Sequence, residues 1–253
     1  MLKDRVCLIT GAASGIGLAV SQELAKDGAK IVMVDVNEDK LREESEKIGA
    51  AYFKADLTKR EDCKAAVDFT AEKFSKLDVL VNVAGIQHVE TIEDFPEDKW
   101  DFIISLMLTA PFLLTKYSWP YMKEQGWGRI INLSSIHGLV ASQYKSAYVS
   151  AKHGLMGLTK TTATEGGEFG ITCNAICPSY VRTPLVDNQI ADQAKTHGIS
   201  EEEVVGDIML EKSFIKSLIE PADIADIVRL LCSKAGDHMT GGAINIDGGW
   251  TAS

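Results

Sequence analysis

The sequence predicts an α/β fold, with a doubly wound, seven-stranded parallel sheet and helices on both faces. Seven short runs rich in β-branched residues alternate with longer segments whose apolar residues recur at helical spacing. Runs that are apolar on both faces and separated by helices are typical of a covered parallel sheet. The predicted strands are residues 6–10, 31–34, 51–55, 79–81, 129–133, 171–177 and 243–246. Helices are predicted at residues 39–48, 61–74, 99–122, 148–165 and 221–231.

Length and composition indicate one domain, spanning residues 1–253. Hydrophobic residues make up 45% and charged residues 25% of the 253, as in ordinary globular proteins, which excludes disordered, collagen-like and coiled-coil classes. The net charge is −10. An acidic chain lacks the basic surface that attracts nucleic acids and anionic membranes, so we expect neither as a partner.

The cysteines and the uncharged runs indicate where in the cell the protein is expected. The five cysteines are irregularly spaced, and no second Cys/His pair completes a zinc set with Cys173 and Cys177. We therefore expect free thiols, no metal site and a cytoplasmic location.

Two uncharged runs, 6–22 and 102–115, could suggest a signal peptide or a membrane span. Turn residues interrupt the first, and the second has only fourteen residues and contains Pro111, so we expect neither to span a bilayer.

A glycine-rich turn joins the first predicted strand to an apolar helix. Residues 10–17 read Thr-Gly-Ala-Ala-Ser-Gly-Ile-Gly. Glycines let the backbone approach a pyrophosphate closely, and the helix N-terminus offers free N–H groups and a positive dipole end. Such a turn is weak evidence by itself, but its position after the first strand of a βαβ unit favours a dinucleotide site of the Rossmann type.

Acidic and small residues follow the next three strands. The second strand ends at Asp35, where a carboxylate can accept both hydroxyls of the adenosine ribose and repel a 2′-phosphate. NAD is therefore favoured over NADP; the alternative for Asp35 is a helix N-cap. Asp56 follows the third strand and could accept from the adenine amino group. The small residues of 82–85 would let a ligand lie against the end of the fourth strand.

Tyr148 and Lys152 lie one helical turn apart, and the fifth strand ends just before Ser135. A Tyr-x-x-x-Lys pair by itself is uninformative, because composition makes it common. In this context the ammonium group would stabilise the phenolate and lower the pKa of the tyrosine, while the serine hydroxyl holds a substrate oxygen. The three residues are our candidate catalytic group.

Over essentially its whole length the sequence resembles the short-chain dehydrogenase/reductase family. The resemblance rests on residues 10–17 and 82–85 with Asp35, Asp56, Ser135, Tyr148, Lys152, Pro178 and Thr183. It implies a homotetramer that passes a hydride between a nicotinamide and a carbinol carbon. Ser135 would bind the carbinol oxygen, Tyr148 would exchange its proton, Lys152 would hold the nicotinamide ribose, and Thr183 would bind the carboxamide. The implied NAD-binding residues are Thr10, Gly11, Ser14, Gly15, Ile16, Gly17, Asp35, Asp56, Leu57, Asn82, Ala84, Gly85, Tyr148, Lys152, Pro178, Val181 and Thr183.

Within that family the match is to the D-3-hydroxybutyrate dehydrogenases. It rests on residues 85–88, 136–142, 145–148, 183–186 and 248–251, with Gln189. The implied substrate is a small carboxylate, D-3-hydroxybutyrate, which would be oxidised to acetoacetate. Its site would be built from Gln87, Ser135, His137, Lys145, Tyr148, Tyr180, Gln189 and Trp250. A cation, an imidazole and two amides beside a hydride site suit a small anion.

Four positions depart from the family pattern and leave alternatives open. Met107 stands where the family has a catalytic asparagine, Ser179 replaces a glycine, Tyr180 replaces a tryptophan, and Val83 replaces an asparagine. The alternatives are a dehydrogenase of another small hydroxy acid or polyol, and a dinucleotide-binding protein with little turnover. Residues 184–217 are polar, acidic and helical in pattern. We expect them to form a substrate lid, with an ordinary packed helix pair as the alternative.

Overall fold

Seven strands form one parallel sheet in the order β3-β2-β1-β4-β5-β6-β7. The computed structural model describes residues 2–252, and within them it confirms the predicted fold class. The strands are β1 (Val6–Thr10), β2 (Lys30–Asp35), β3 (Ala51–Lys54), β4 (Val79–Asn82), β5 (Gly128–Leu133), β6 (Ile171–Pro178) and β7 (Ala243–Ile246). Every predicted strand end lies within one residue of the observed one. The strand order reverses between β1 and β4, where open α/β sheets bind their ligands.

Helices connect the strands and cover both faces of the sheet. They are α1 (Gly15–Lys26), α2 (Glu38–Ile48), α3 (Arg60–Phe74), α4 (Glu97–Ile104), α5 (Ala110–Gln125), α6 (Ser146–Gly166), α7 (Pro184–His197), α8 (Glu201–Glu203) and α9 (Pro221–Cys232). Local chemistry sets their ends. In α2, for example, the Asn37 side chain accepts a hydrogen bond from the Lys40 N–H at 3.2 Å, and Gly49 ends the helix at φ +66°.

The core has one layer on each side of the sheet, because neighbouring residues of a strand point to opposite faces. Cys7 and Ile9 of β1 pack in one cluster with residues of α1 and α9, while Leu8 packs in the other with residues of α3 and α5. Each fully buried aliphatic side chain contributes about 1.5–3 kcal/mol to folding. The two layers hold the strand ends, and therefore the residues that follow them, in fixed positions.

The helical segment Glu97–Gln125 is longer than predicted and is interrupted by a π-helical turn. α4 runs into the turn Ser105–Thr109, which continues into α5, to give 29 residues with a mean hydropathy of 1.3 over the most apolar window. By length and composition alone this helix could cross a membrane, so our argument that the apolar run is too short was wrong. Its packing is that of a core helix, since Ile103, Met107, Leu113 and Leu114 are buried against α6 and the sheet.

The segment predicted as a lid is helical over much of its length. α7 and α8 are followed by a π-helical turn, Val204–Met209, and residues of α7 and of this turn share a small apolar cluster. The buried members of that cluster are Val186, Ile190, Val204, Met209, Leu210 and Leu218, and the ring of Tyr180 packs against them. A separate cluster beside the sheet is what either a lid or a packed helix pair requires, so the lid stays a prediction.

Candidate active site

A cleft of about 540 Å³ opens where the carboxyl ends of strands β1 to β6 meet one edge of the sheet. Most of the predicted site residues line it. They are Gly11, Ser14, Gly15, Ile16, Asp35, Asp56, Leu57, Ala84, Gly85, Gln87, Ser135, His137, Lys145, Tyr148, Lys152, Pro178, Tyr180, Val181, Thr183 and Gln189. Thr10, Gly17, Asn82 and Trp250 are not among the lining residues. The fold thus brings the candidate cofactor, catalytic and substrate residues together.

The glycine turn after β1 forms a cradle that side chains would fill. A Cβ on Gly11, whose φ is +64°, would lie 3.0 Å from the Ala84 backbone, and a Cβ on Gly17 would lie 2.3 Å from the Gly11 carbonyl oxygen. The Thr10 hydroxyl accepts from the N–H groups of Val83 at 2.9 Å and Ala84 at 3.1 Å, which fixes the end of β4 beside the turn. The Ser14 side chain makes no capping bond at the N-terminus of α1. These features fit a pyrophosphate.

Asp35 and Asp56 line the same half of the cleft, but their carboxylates accept hydrogen bonds in different ways. Asp35 accepts one bond per oxygen, from the N–H of Ala13 at 3.1 Å and of Asn37 at 3.0 Å, so each oxygen keeps a free lone pair. Asn37, not Asp35, caps α2, which removes the alternative of Asp35 as its N-cap. One Asp56 oxygen accepts both the hydroxyl and the N–H of Thr58. The Thr58 hydroxyl bond is the largest influence that lowers the pKa of Asp56, against the effect of burial.

The candidate catalytic residues lie at the ends of β5 and α6. The Ser135 hydroxyl accepts from the His137 N–H at 3.1 Å and caps a 3₁₀ turn, Ile136–Gly138. Lys152 is 4% exposed, and its Nζ donates to the Leu133 carbonyl at 2.5 Å and lies 5.5 Å from the centroid of the Tyr148 ring. All three face the cleft.

The pKa of Tyr148 is shifted in the direction opposite to the one we predicted. Burial raises the pKa of the phenol, and the nearby Ser135 hydroxyl opposes this only in part. The Lys152 ammonium is bound to the Leu133 carbonyl, and burial lowers its own pKa to about 8. The sequence argument counted the cation and left out the desolvation of the phenol, which depends on tertiary packing.

The polar end of the cleft is lined by Gln87, His137, Lys145 and Gln189. Burial, followed by the charge of Lys145, lowers the pKa of His137 to about 4, so the imidazole is neutral at pH 7. Its Nδ1 atom is buried without a hydrogen-bond partner. Burial also lowers the pKa of Lys145. The site can therefore offer one cation and several neutral hydrogen-bonding groups to an anion.

Comparison with known proteins agrees with this geometry. The family model described as short chain dehydrogenase matches residues 5–194. The chain is 46% identical to the D-beta-hydroxybutyrate dehydrogenase of Rhizobium meliloti, over 98% of this chain and 99% of the relative. It is 42% identical to the D-beta-hydroxybutyrate dehydrogenase of Cupriavidus necator over the full length of both. The chain belongs to the short-chain dehydrogenase family.

The resemblance inferred from sequence motifs is confirmed for the family and for the narrower similarity to D-3-hydroxybutyrate dehydrogenases. Another relative is named for activity on a cyclic substrate. The chain is 38% identical to the trans-4-hydroxycyclohexanecarboxylate dehydrogenase of Sinomonas cyclohexanicum, over 98% of this chain and 93% of the relative. Among residues 2–252, no group of three or more His, Cys, Asp or Glu side chains is arranged to hold a metal ion.

All four departures from the family pattern line the cleft. Met107 lies on the π-helical turn and is 1% exposed. Its Cε would be 3.4 Å from a Cβ on Gly85. Tyr180 projects between the lid cluster and the cleft, and burial raises the pKa of its phenol. The departures therefore change the surface that a short-chain dehydrogenase presents to its ligands.

Sequence reasoning missed several lining residues. Phe102 and Leu106 lie four apart on the helix that carries Met107, and their spacing within the predicted helix 99–122 is a signal that could have found them. Thr58, beside Asp56, and Ile86, beside Gln87, also line the cleft. Trp250, in contrast, is predicted as a site residue but does not line the cleft. It packs against His137, which does line it, with the ring centroids 6.0 Å apart.

Proposed function

We propose that this short-chain dehydrogenase transfers a hydride between NAD and a small 3-hydroxy acid, interconverting D-3-hydroxybutyrate and acetoacetate. The observation that carries the proposal is the convergence of Ser135 and Tyr148 with Lys145 and His137 in one cleft. The first pair suits a carbinol oxygen and the second a carboxylate, and these are the two polar ends of a 3-hydroxy acid. The two relatives named D-beta-hydroxybutyrate dehydrogenase support the same substrate.

The cofactor half of the cleft fits a nicotinamide dinucleotide. The cradle at Gly11 and Gly17, with the N-terminus of α1, suits the pyrophosphate, and the free lone pairs of Asp35 suit the ribose hydroxyls. Lys152 and Thr183, which line the other half of the cleft, would hold the nicotinamide end. When bound, the dinucleotide supplies the hydride acceptor or donor.

NAD rather than NADP is the proposed cofactor, because Asp35 would repel a 2′-phosphate and its cleft neighbour Val36 is apolar. We expect NAD to be preferred by at least about tenfold in kcat/KM, since a lost charge-assisted bond and the repulsion together are worth about 1.4 kcal/mol or more. Asp35→Ser should reduce this preference for NAD over NADP, whereas Asp39→Ser, at an exposed acid on α2, should leave the preference unchanged. Equal use of the two dinucleotides by the native enzyme would contradict this assignment.

The chain's own residues handle the proton and the substrate oxygen. The Ser135 hydroxyl holds the carbinol oxygen beside the phenol of Tyr148. In reduction the protonated phenol donates to the forming alkoxide. In oxidation the phenol first loses its proton, with the help of the Lys152 cation, and then accepts the carbinol proton. Burial keeps the phenol protonated in the structure as described, which suits the donor role.

Lys145 is the proposed charge partner of the substrate carboxylate. Lys145→Ala should reduce kcat/KM for D-3-hydroxybutyrate roughly thirtyfold, or about 2 kcal/mol, through loss of a charge-assisted hydrogen bond. The methyl ester should be a much poorer substrate for the native enzyme and should be little affected by the substitution. Lys160→Ala, at an exposed lysine of α6, the helix that Lys145 directly precedes, is the matched control. Equal activity on ester and acid would mean that this cluster binds something other than a carboxylate.

A second candidate function is the oxidation of another small hydroxy acid or polyol by the same groups. Tyr180 favours it, because a phenol in the substrate half of the cleft offers a polar atom and a shape different from those of the usual tryptophan. The relative that acts on a hydroxycyclohexanecarboxylate is consistent with a wider pocket in this family. Higher kcat/KM on such a substrate than on 3-hydroxybutyrate would select this alternative.

We also propose a homotetramer in the cytoplasm. The partly exposed side chains of Trp100, Phe102 and Phe112 on α4 and α5 support an assembly interface. The five buried free cysteines support a reducing compartment. A monomer in light scattering, or recovery of the protein outside the cytoplasm, would contradict these proposals.

A further inference from the structure

Tyr148 is linked to the lid segment by a row of side-chain contacts that we name the Tyr148–Lys212 row. The rings of Tyr148 and His137 meet edge to face, with centroids 6.3 Å apart and planes at 81°. His137 and Trp250 meet in the same way, at 6.0 Å and 87°. The Lys212 Nζ atom then lies 5.0 Å from the centroid of the Trp250 ring. These distances are within the usual ranges for aromatic pairs and cation–π contacts.

His137 depends on this packing for its orientation. Its Nδ1 atom is buried without a hydrogen-bond partner, and the Val140 backbone is the hydrogen-bonding group of the protein that acts on the imidazole. The two edge contacts, to Tyr148 on one side and Trp250 on the other, limit its rotation. Movement of the Trp250 ring would therefore remove one of the contacts that limit rotation of the imidazole.

The backbone holds Lys212 and Trp250 in the same unit. The N–H groups of Phe214 and Ile215 both donate to the Gly248 carbonyl, at 2.8 and 3.0 Å. Gly248 has φ +62° and Gly249 has φ +84°, and a Cβ on Gly249 would lie 3.1 Å from the Phe214 ring. The Asp247 carboxylate accepts from Gly249 and Thr251 and stabilises the turn that carries Trp250. These hydrogen bonds and contacts hold the lid segment and the C-terminal turn together.

Besides its contact with Trp250, Lys212 acts on His137 through its charge, which is a minor cause of the lowered pKa of the imidazole. The Lys212 side chain is exposed, it forms no ion pair with any acidic residue in the described part of the chain, and it is not a cleft-lining residue. A direct bond to a ligand in the cleft is therefore not what its position offers. Its contact with the Trp250 ring is what remains to be explained.

We propose that Lys212 is a positioning residue that holds the Trp250 ring against His137 and so orients the imidazole toward the substrate carboxylate. The inference deepens the proposed function, because it assigns the lid segment a part in binding the acid end of the substrate. It predicts an effect on substrate affinity rather than on hydride transfer, since neither Lys212 nor Trp250 lines the cleft and the recorded link to it is through His137.

A double-mutant cycle tests the proposal. Lys212→Met should raise KM for D-3-hydroxybutyrate about three- to tenfold, with kcat within about twofold and KM for NAD unchanged, because an exposed cation–π contact is weak but directional. Lys212→Arg should restore the native KM. Trp250→Leu should also raise KM, and the double variant should be no worse than the worse single variant, because both substitutions remove the same contact. Lys195→Met, at an exposed lysine of α7, is the control for the loss of charge.

An unchanged KM in Lys212→Met, or fully additive effects in the double variant, would overturn the proposal. Titration with NADH establishes that each variant is folded. If the native enzyme does not oxidise 3-hydroxybutyrate, the proposed function fails, but the positioning role can still be tested by fluorescence. The Trp250 emission, taken as the difference from Trp250→Leu, should shift in Lys212→Met and return in Lys212→Arg. Absence of that shift would overturn the positioning role by itself.

Discussion

Tyr148 is subject to two opposing influences on its proton. Burial raises the pKa of its phenol, and the Ser135 hydroxyl lowers it by less. Burial also brings the pKa of Lys152 down to about 8, close to neutral pH. Burial therefore moves apart two pKa values that are nearly equal in the free side chains, which favours transfer of a proton from the ammonium to a phenolate and disfavours the reverse transfer. The pair therefore suits reduction, in which Tyr148 donates its proton to the substrate oxygen and Lys152 can return one to the phenolate.

Removing the phenolic hydroxyl should stop this proton transfer. Tyr148→Phe should reduce kcat at least about a hundredfold, since general acid–base catalysis contributes roughly 10²–10⁴. NADH affinity, measured by fluorescence titration, should change little because the ring remains. Tyr144→Phe is the matched control, since Tyr144 is 55% exposed and lies just before the same helix. Near-native turnover by Tyr148→Phe would show that another group moves the proton.

A π-helical turn, Ser105–Thr109, interrupts the long helical segment between α4 and α5. π-turns inside α-helices are rare and occur often at functional sites. This one holds Met107 against the backbone at Gly85, with Ile103, Ala147 and Ala151 packed around it. The family resemblance implies an asparagine there, which would bind a water on the path from Lys152 to solvent. A thioether is only a weak acceptor and donates nothing.

Met107→Asn should therefore improve proton release. We expect kcat to rise about two- to tenfold with little change in KM, and the native enzyme to have a larger solvent isotope effect on kcat than the variant. Met107→Leu conserves volume and adds no polar atom, so it should leave both values near native. If Met107→Asn changes neither kcat nor the isotope effect, proton release does not pass this position, and Met107 only fills the core.

For the molecule as a whole, the sequence predicts those features that depend on local pattern. Strand ends are predicted within one residue because β-branched runs are bounded by turn residues, and the site residues that follow each strand come together because parallel strands end at one edge. The π-turn has no local signal. The sign of the Tyr148 pKa shift depends on burial by residues distant in sequence, and the placement of Trp250 behind His137 depends on a turn more than a hundred residues away. These features come from tertiary packing, which motifs do not encode.

The direct test of the proposed function is a substrate panel. The native enzyme is assayed with NAD for formation of the reduced nicotinamide, on both enantiomers of 3-hydroxybutyrate, on longer and cyclic hydroxy acids, on acyl thioesters and on polyols. The predicted result is the highest kcat/KM on D-3-hydroxybutyrate, because one cation and several neutral donors converge beside Tyr148 in a cleft of about 540 Å³. A higher kcat/KM on an uncharged alcohol or a thioester, or no turnover of any hydroxy acid, would contradict the account.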